Sequence, residues 1–150
     1  LETVVSYKLE RCILRMMENN ILEKIKKVVL TTQKAQYEID KIILFGSRAR
    51  GDYRESSDWD IMVVTKNKVR SEVEDEFWME VDKNVELGII PELIVVPREI
   101  FEKYKRPAYV FYHAEKEGIV ISNKDVILLL KIADEDLEEA YDSFKRKNSG

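Results

Sequence analysis

The sequence predicts an α/β domain with a small mixed β-sheet flanked by helices, and two observations carry that reading. Short apolar runs at residues 41–45, in the second half of 58–65 and at 92–96 have strand length and are rich in β-branched residues. Around them lie longer segments whose apolar side chains recur every three or four residues, the period of a helix with one buried face. A chain of 150 residues has room for one core, at ~100–200 residues per domain. Its 45% apolar and 36% charged residues suit a folded domain that buries a core and stays in water.

Each element follows from local pattern. Leu9, Ile13, Met16, Met17, Ile21, Ile25, Val28 and Val29 share one helical face, which predicts one or two helices over residues 7–30 with a break at Asn19-Asn20. Lys41-Ile-Ile-Leu-Phe45 reads as a buried strand stopped by Gly46-Ser47, and the second half of Asp58–Thr65 as another. Val73, Phe77, Val81 and Val85 recur every four residues and predict a helix over 69–85 lying against the sheet. Pro91 and Pro97 bracket a third strand at 92–96 and suit its start and the first turn of the next helix. Residues 98–117 read as helical with an interruption at Pro107, 118–122 as a short edge strand, and about 124–147 as one last helix. The expected organisation is a helical extension (1–20), a central domain (21–122) and a C-terminal helix (123–150).

Composition excludes several functions. With 25 basic and 29 acidic side chains the formal net charge is −4, so a polyanion must be held by a local patch, and bulk nucleic-acid binding is disfavoured. A single cysteine, Cys12, and a single histidine, His113, form neither a disulfide nor a Cys/His zinc site. Any metal must therefore be held by oxygen. The strongest apolar run, 126–130, falls far short of the ~20 residues of a spanning helix, and Glu2 stands where a signal peptide would be basic. A cytoplasmic location without membrane attachment is the expectation. The chain starts at Leu1, as a trimmed or processed product would.

The informative stretch runs from Gly46-Ser47 through ten residues to Asp58-Trp59-Asp60 at the mouth of a strand. Alternate side chains of a strand share a face, so Asp58 and Asp60 point one way, ~7 Å apart at their backbones, and Trp59 points the other. Two adjacent carboxylates repel unless a cation lies between them, and a hard divalent ion such as Mg2+ fits oxygen ligands while keeping positions for substrate phosphates. A strand ending in glycine and followed by a helix start at Ser47-Arg48-Ala49-Arg50 offers backbone N–H groups to an anion. Ser47 and one or both arginines add hydrogen bonds and charge. Gly46 to Gly51 also fits the glycine spacing of a P-loop, but Asp52-Tyr53 stands where Lys-Ser/Thr is required, which removes that reading.

This pattern resembles the nucleotidyltransferase superfamily of DNA polymerase β, most closely its minimal nucleotidyltransferase branch. The resemblance implies a polymerase β-like fold in which Gly46 and Ser47 grip a triphosphate, with Arg48 and Arg50 as further nucleotide-binding residues. It also implies that Asp58 and Asp60 bind two Mg2+ ions and that a third carboxylate on a later strand completes the catalytic and metal site. That third position falls on Glu92, where the family has Asp, and the extra methylene extends the reach by about 1.5 Å. The implied reaction is Mg2+-dependent transfer of a nucleotide, AMP from ATP, to a hydroxyl acceptor, on a partner protein in a toxin–antitoxin type pair. Residues 133–140 also resemble the first helix of a HEPN domain, which makes a HEPN-type helical protein the implied partner, with a homodimer as the other way to complete an acceptor site. Two alternatives stand beside it: a binding module that keeps the fold but has lost transfer, sequestering a helical partner, and a small-molecule transferase of antibiotic-modifying type.

Other features take ordinary readings. His113 has no Ser or Cys motif nearby and is assigned no role. Lys103, Lys105 and Arg106 are expected to face solvent. The stripe Leu130, Ala133, Leu137, Ala140, Phe144 is expected to pack on the chain's own core in its first half.

Overall fold

A computed structural model describes residues 7–34, 36–67 and 91–148. In chain order the elements are α1 (Tyr7–Glu18), α2 (Ile21–Lys34), β1 (Ile39–Phe45), α3 (Ser47–Arg50), β2 (Trp59–Thr65), β3 (Pro91–Pro97), α4 (Arg98–Lys103), α5 (Val110–Glu117), β4 (Ile119–Ser122), α6 (Asn123–Asp134) and α7 (Leu137–Asn148). The helix expected over 69–85 lies outside the described residues. No helix among the described residues is long and apolar enough to cross a membrane.

The break expected at Asn19-Asn20 is present, because Asn20 takes a left-handed conformation with φ 58°, which asparagine tolerates better than most residues. At the other end the single expected helix is two. Glu135 is extended, and the Asp136 carboxylate accepts hydrogen bonds from the amides of Glu138 (3.1 Å) and Glu139 (3.2 Å). An aspartate whose side chain satisfies the second and third helical amides is an N-cap, so α7 starts afresh where the apolar spacing suggested continuity. In the stripe, Ala133 is buried and Leu130 half-buried; the side chains of Leu137, Ala140 and Phe144 lie outside the described residues.

The strands form one mixed sheet in the order β3-β2-β1-β4. β1 pairs antiparallel with both β2 and β4, and β2 pairs parallel with β3. Helices cover both faces. Ile42, Leu44, Trp59, Ile61, Val63, Leu93, Val95, Ile119 and Ile121 pack with α1, α2 and α6 in one core. Ile43, Phe45, Met62, Val64 and Val96 pack on the other face with Phe101 of α4 and Ala114 of α5. A strand buried on both faces reads as a continuous apolar run rather than an alternating one, which is why β1 and β2 stood out in the sequence.

The order of the sheet explains the polarity of its ends. β4 is an edge strand with alternating burial, Val120 exposed and Ile119 and Ile121 buried. It runs directly into α6 through a capping box: the Asp125 carboxylate accepts from the Ser122 amide (3.0 Å) and hydroxyl (2.9 Å). β2 lies between β3 and β1, and Ile61 on it is fully buried. Ile61→Ala therefore removes packing that cannot collapse onto solvent, and is expected to lower the unfolding free energy by about 2–5 kcal/mol in urea titration.

Candidate active site

The site begins where β1 stops. Phe45 pairs with Asp60 across the sheet, and the next residue, Gly46, turns with φ 73° and ψ −160°. A side chain is disfavoured there twice over. Positive φ strains an L-residue, and a methyl group on Gly46 would overlap Oδ2 of Asp60 and lie 3.1 Å from its Cγ. The Asp60 carboxylate thus rests on the bare face of the glycine turn, in the space that a Cβ would fill.

Behind the turn, Ser47 opens the single turn of α3. The Gly46 carbonyl accepts from the amides of Ala49 (3.1 Å) and Arg50 (3.0 Å), and left-handed Gly51 closes the turn by donating to the Ser47 carbonyl at 2.8 Å. The first amides of a helical turn have no partner within it, so the Gly46-Ser47 bend keeps its hydrogen-bonding capacity for an anion.

The acidic positions lie at the start of β2 and β3. Asp60 is half-buried and Asp58, just before β2, is exposed, and among the described residues no cation pairs with Asp58. Trp59 and Ile61 belong to one core and Met62 and Val64 to the other, so strand alternation puts Trp59 and Asp60 on opposite faces, as expected from the sequence. Glu92 stands beside Asp60 in the parallel β2–β3 register. Phe45, Asp60 and Glu92 therefore mark one line across three neighbouring strands, while the Glu92 side chain lies outside the described residues. Among the described residues no three acidic, histidine or cysteine side chains form a metal-holding group. The donors present are carboxylates, the chemistry that hard divalent cations require, and the bare Gly46 turn is what lets the Asp60 carboxylate lie against it.

The two arginines behave differently from each other. Arg48 is buried, donating from Nε and Nη2 to the Ser57 carbonyl (3.3 and 3.0 Å) and from Nη2 to the Glu55 carbonyl (3.0 Å). Its guanidinium also stacks between Tyr53 (4.4 Å) and Trp59 (4.7 Å). Beside the phosphate contact expected from the sequence, Arg48 clamps the loop that leads to Asp58. Charge-assisted hydrogen bonds contribute about 1.5–3 kcal/mol each at most, so Arg48→Ala is expected to cost about 2–4 kcal/mol in thermal or urea unfolding, with Arg48→Lys only partly restoring it. Arg50 is partly exposed, bridging Glu117 (3.2 Å) and Asp52 (3.3 Å). Glu117 first, then Asp52, hold its guanidinium still further above its ordinary range.

Other candidates fall in place. Nε2 of His113 lies 3.0 Å from the Pro107 carbonyl, a structural tie in keeping with its unassigned role. Of the basic cluster, Lys103 and Arg106 are exposed, but Lys105 bridges Glu102 (2.9 Å) and Glu115 (3.0 Å) and so joins α4 to α5. Sequence reasoning missed the clamp of Arg48 on residues 55–57, whose only local signal is an arginine next to an aromatic-bearing polar loop.

Comparison with known proteins gives the family. The family model described as a nucleotidyltransferase domain matches residues 22–133. Two proteins of Methanocaldococcus jannaschii, each named "Putative protein adenylyltransferase", are similar. MJ0604 is 38% identical over 85 residues, 54% of this chain and 79% of the relative, and MJ0141 is 46% identical over 46 residues, 31% of this chain and 44% of the relative. Among solved structures, a candidate nucleotidyltransferase from Sulfolobus solfataricus superposes with TM-score 0.48 at 20% identity, covering 82% of this chain and 95% of that one. A toxin–antitoxin structure with AMP-PNP gives 0.41 at 17% identity, covering 85% and 92%. With a family match that spans most of its length and includes both the Gly46-Ser47 bend and the Asp58–Asp60 pair, this chain belongs to the nucleotidyltransferase domain family and is a transferase.

Proposed function

We propose that this protein transfers AMP from ATP to a hydroxyl group of a protein acceptor, with Mg2+. The observation that carries the reading is the Asp60 carboxylate seated on the bare Gly46 turn, with Ser47 beyond it and Glu92 in register beside it. An acid pair next to a bend with unspent amides is what a triphosphate bridged to divalent cations needs. The protein acceptor and the adenylyl group are supported by the names of the two archaeal relatives.

In this reading Asp58, Asp60 and Glu92 hold two Mg2+ ions, which when bound supply charge neutralisation and lower the pKa of an acceptor hydroxyl. The backbone amides of the bend and the Ser47 hydroxyl grip the β- and γ-phosphates, and Arg50, the less buried arginine, adds charge beside them. Arg48 acts at one remove, holding the carbonyls of Glu55 and Ser57 so that Asp58 arrives in place. The acceptor oxygen attacks the α-phosphorus, the bond to the bridging oxygen breaks, and pyrophosphate leaves in line. The acceptor proton passes to a carboxylate, for which Glu92 is the candidate base. A HEPN-type helical protein is the acceptor that the sequence resemblance supports.

The test uses ATP labelled on its α-phosphate or its γ-phosphate, incubated with the chain, Mg2+ and whole-cell protein or a helical candidate partner. The expected result is protein-bound label from the α-position only, one pyrophosphate released per label, and none in EDTA. Label from the γ-position, or ATP consumed without pyrophosphate, overturns the proposal.

A further inference from the structure

A cavity of about 350 Å3 opens between α1 and α3, and neither Gly46, Ser47, Asp58 nor Asp60 lines it. Its walls carry five cations, Lys8, Arg11 and Arg15 from α1 and Arg48 and Arg50 from α3, and no carboxylate. In a chain of net charge −4 this is a concentrated reversal of sign. Among the described residues Lys8, Arg11 and Arg15 make no ion pair, and all three are exposed. Cys12 sits between them as a neutral wall: burial pushes its thiol up, against the opposing pull of Lys8 and Arg11.

A second observation points to a ligand of opposite charge. Arg48 is only 8% exposed, yet its charge is met by two carbonyls and the faces of Tyr53 and Trp59 rather than by a carboxylate. A buried guanidinium without a counter-ion is costly, and Tyr53 and Trp59 line the same cavity as Arg48. An anion there would supply the missing charge. Arg50 already bridges Glu117 and Asp52, but the four other cations, Lys8, Arg11, Arg15 and Arg48, around a space at the small end of the usual ligand range suit a compact group with at least two negative charges, and guanidinium forks match phosphate oxygens in particular.

We propose that this cavity is a second anion site, taking a small phosphate-bearing ligand separately from the nucleotide at the Gly46 turn. Arg48 couples the two sites. It lines the cavity and also holds the carbonyls of Glu55 and Ser57, just ahead of Asp58, so an anion that shifts its guanidinium shifts the approach of Asp58 to the reaction. The site stands whether or not the transfer reaction does.

The test is calorimetric titration of the full chain with sodium tripolyphosphate in EDTA, where the acidic site lacks the cations that would hold phosphates. Expected are saturable binding with one equivalent, a loss of about tenfold or more in R11A/R15A, an affinity between that and wild type in R11K/R15K, which keeps the charge without the fork, and unchanged affinity in D60N. Both arginines are exposed, so the substitutions leave the core untouched, and a melting curve checks this. Titration with AMP distinguishes a nucleotide from an inorganic polyphosphate: tighter binding than inorganic phosphate assigns the site to nucleotides, equal binding to polyphosphate, and either supports it. The proposal is overturned by absence of saturable binding, by wild-type affinity in R11A/R15A, or by loss of binding in D60N, which would return the ligand to the acidic site. Tighter, more salt-sensitive binding of a short oligodeoxythymidylate than of tripolyphosphate would also overturn it, in favour of a nucleic-acid surface.

Discussion

Replacing Asp60 with alanine is expected to reduce AMP transfer by about 10³-fold or more, the scale of losing a preorganised electrostatic group at the reacting centre. The fold should persist, because Asp60 is half-buried at the mouth of β2 and its neighbours Ile61 and Met62 carry the packing. The measurement is α-label transfer alongside a melting curve. A folded D60A protein that turns over normally would remove Asp60 from the chemistry and with it the proposed mechanism.

Gly46→Ala is the second large effect, and it acts on both stability and activity. The backbone at φ 73° costs a side chain about 1–2 kcal/mol, and the new methyl group overlaps the Asp60 carboxylate, so either the turn or the carboxylate must move. A displacement of about 1 Å at a reacting group costs on the order of 10² in rate. Gly51→Ala is the control. Gly51 has φ 94° but nothing within 4 Å of the position its Cβ would take, so it carries the strain without the collision. The expected outcome is similar destabilisation in the two variants by chemical denaturation, with the large rate loss confined to Gly46→Ala. Equal rate losses would show that the contact with Asp60 is irrelevant.

The two variants also separate what kind of information each part of the site rested on. Gly46 and Asp60 were legible because their signals are local: a glycine at the end of an apolar run, and two acids separated by one residue at the start of another. Their juxtaposition required β1 and β2 to pair antiparallel with Phe45 opposite Asp60. Sequence spacing carries no pairing direction, so that arrangement is a property of the sheet. Glu92 was identified by the resemblance and by its place at the start of an apolar strand, and its position in the parallel register beside Asp60 is a property of the sheet order.

What the sequence left unresolved has physical causes. Arg48 and Arg50 are two residues apart on a single helical turn, so spacing treats them alike. Burial distinguishes them, since one enters the space between Tyr53 and Trp59 and the other reaches Asp52 and Glu117. The long C-terminal helix was split by one side chain, Asp136, whose capping bonds outweigh the continuity of the apolar stripe. Lys105 was read as a solvated charge because its partner Glu115 lies on a different helix, ten positions away.

From the amino acids alone came the fold class, the strands buried on both faces, the break at Asn19-Asn20, and a glycine bend and an Asp-x-Asp pair as the stretch to examine. These follow from periodicity, backbone preference and side-chain chemistry, which act over a few residues. Tertiary structure alone decided that Arg48 clamps the approach to Asp58, that the Asp60 carboxylate fills the space above Gly46, and that three cations of α1 face two of α3 across one cavity. Each of those depends on which distant surfaces meet, and that is set by packing two cores against opposite faces of one sheet.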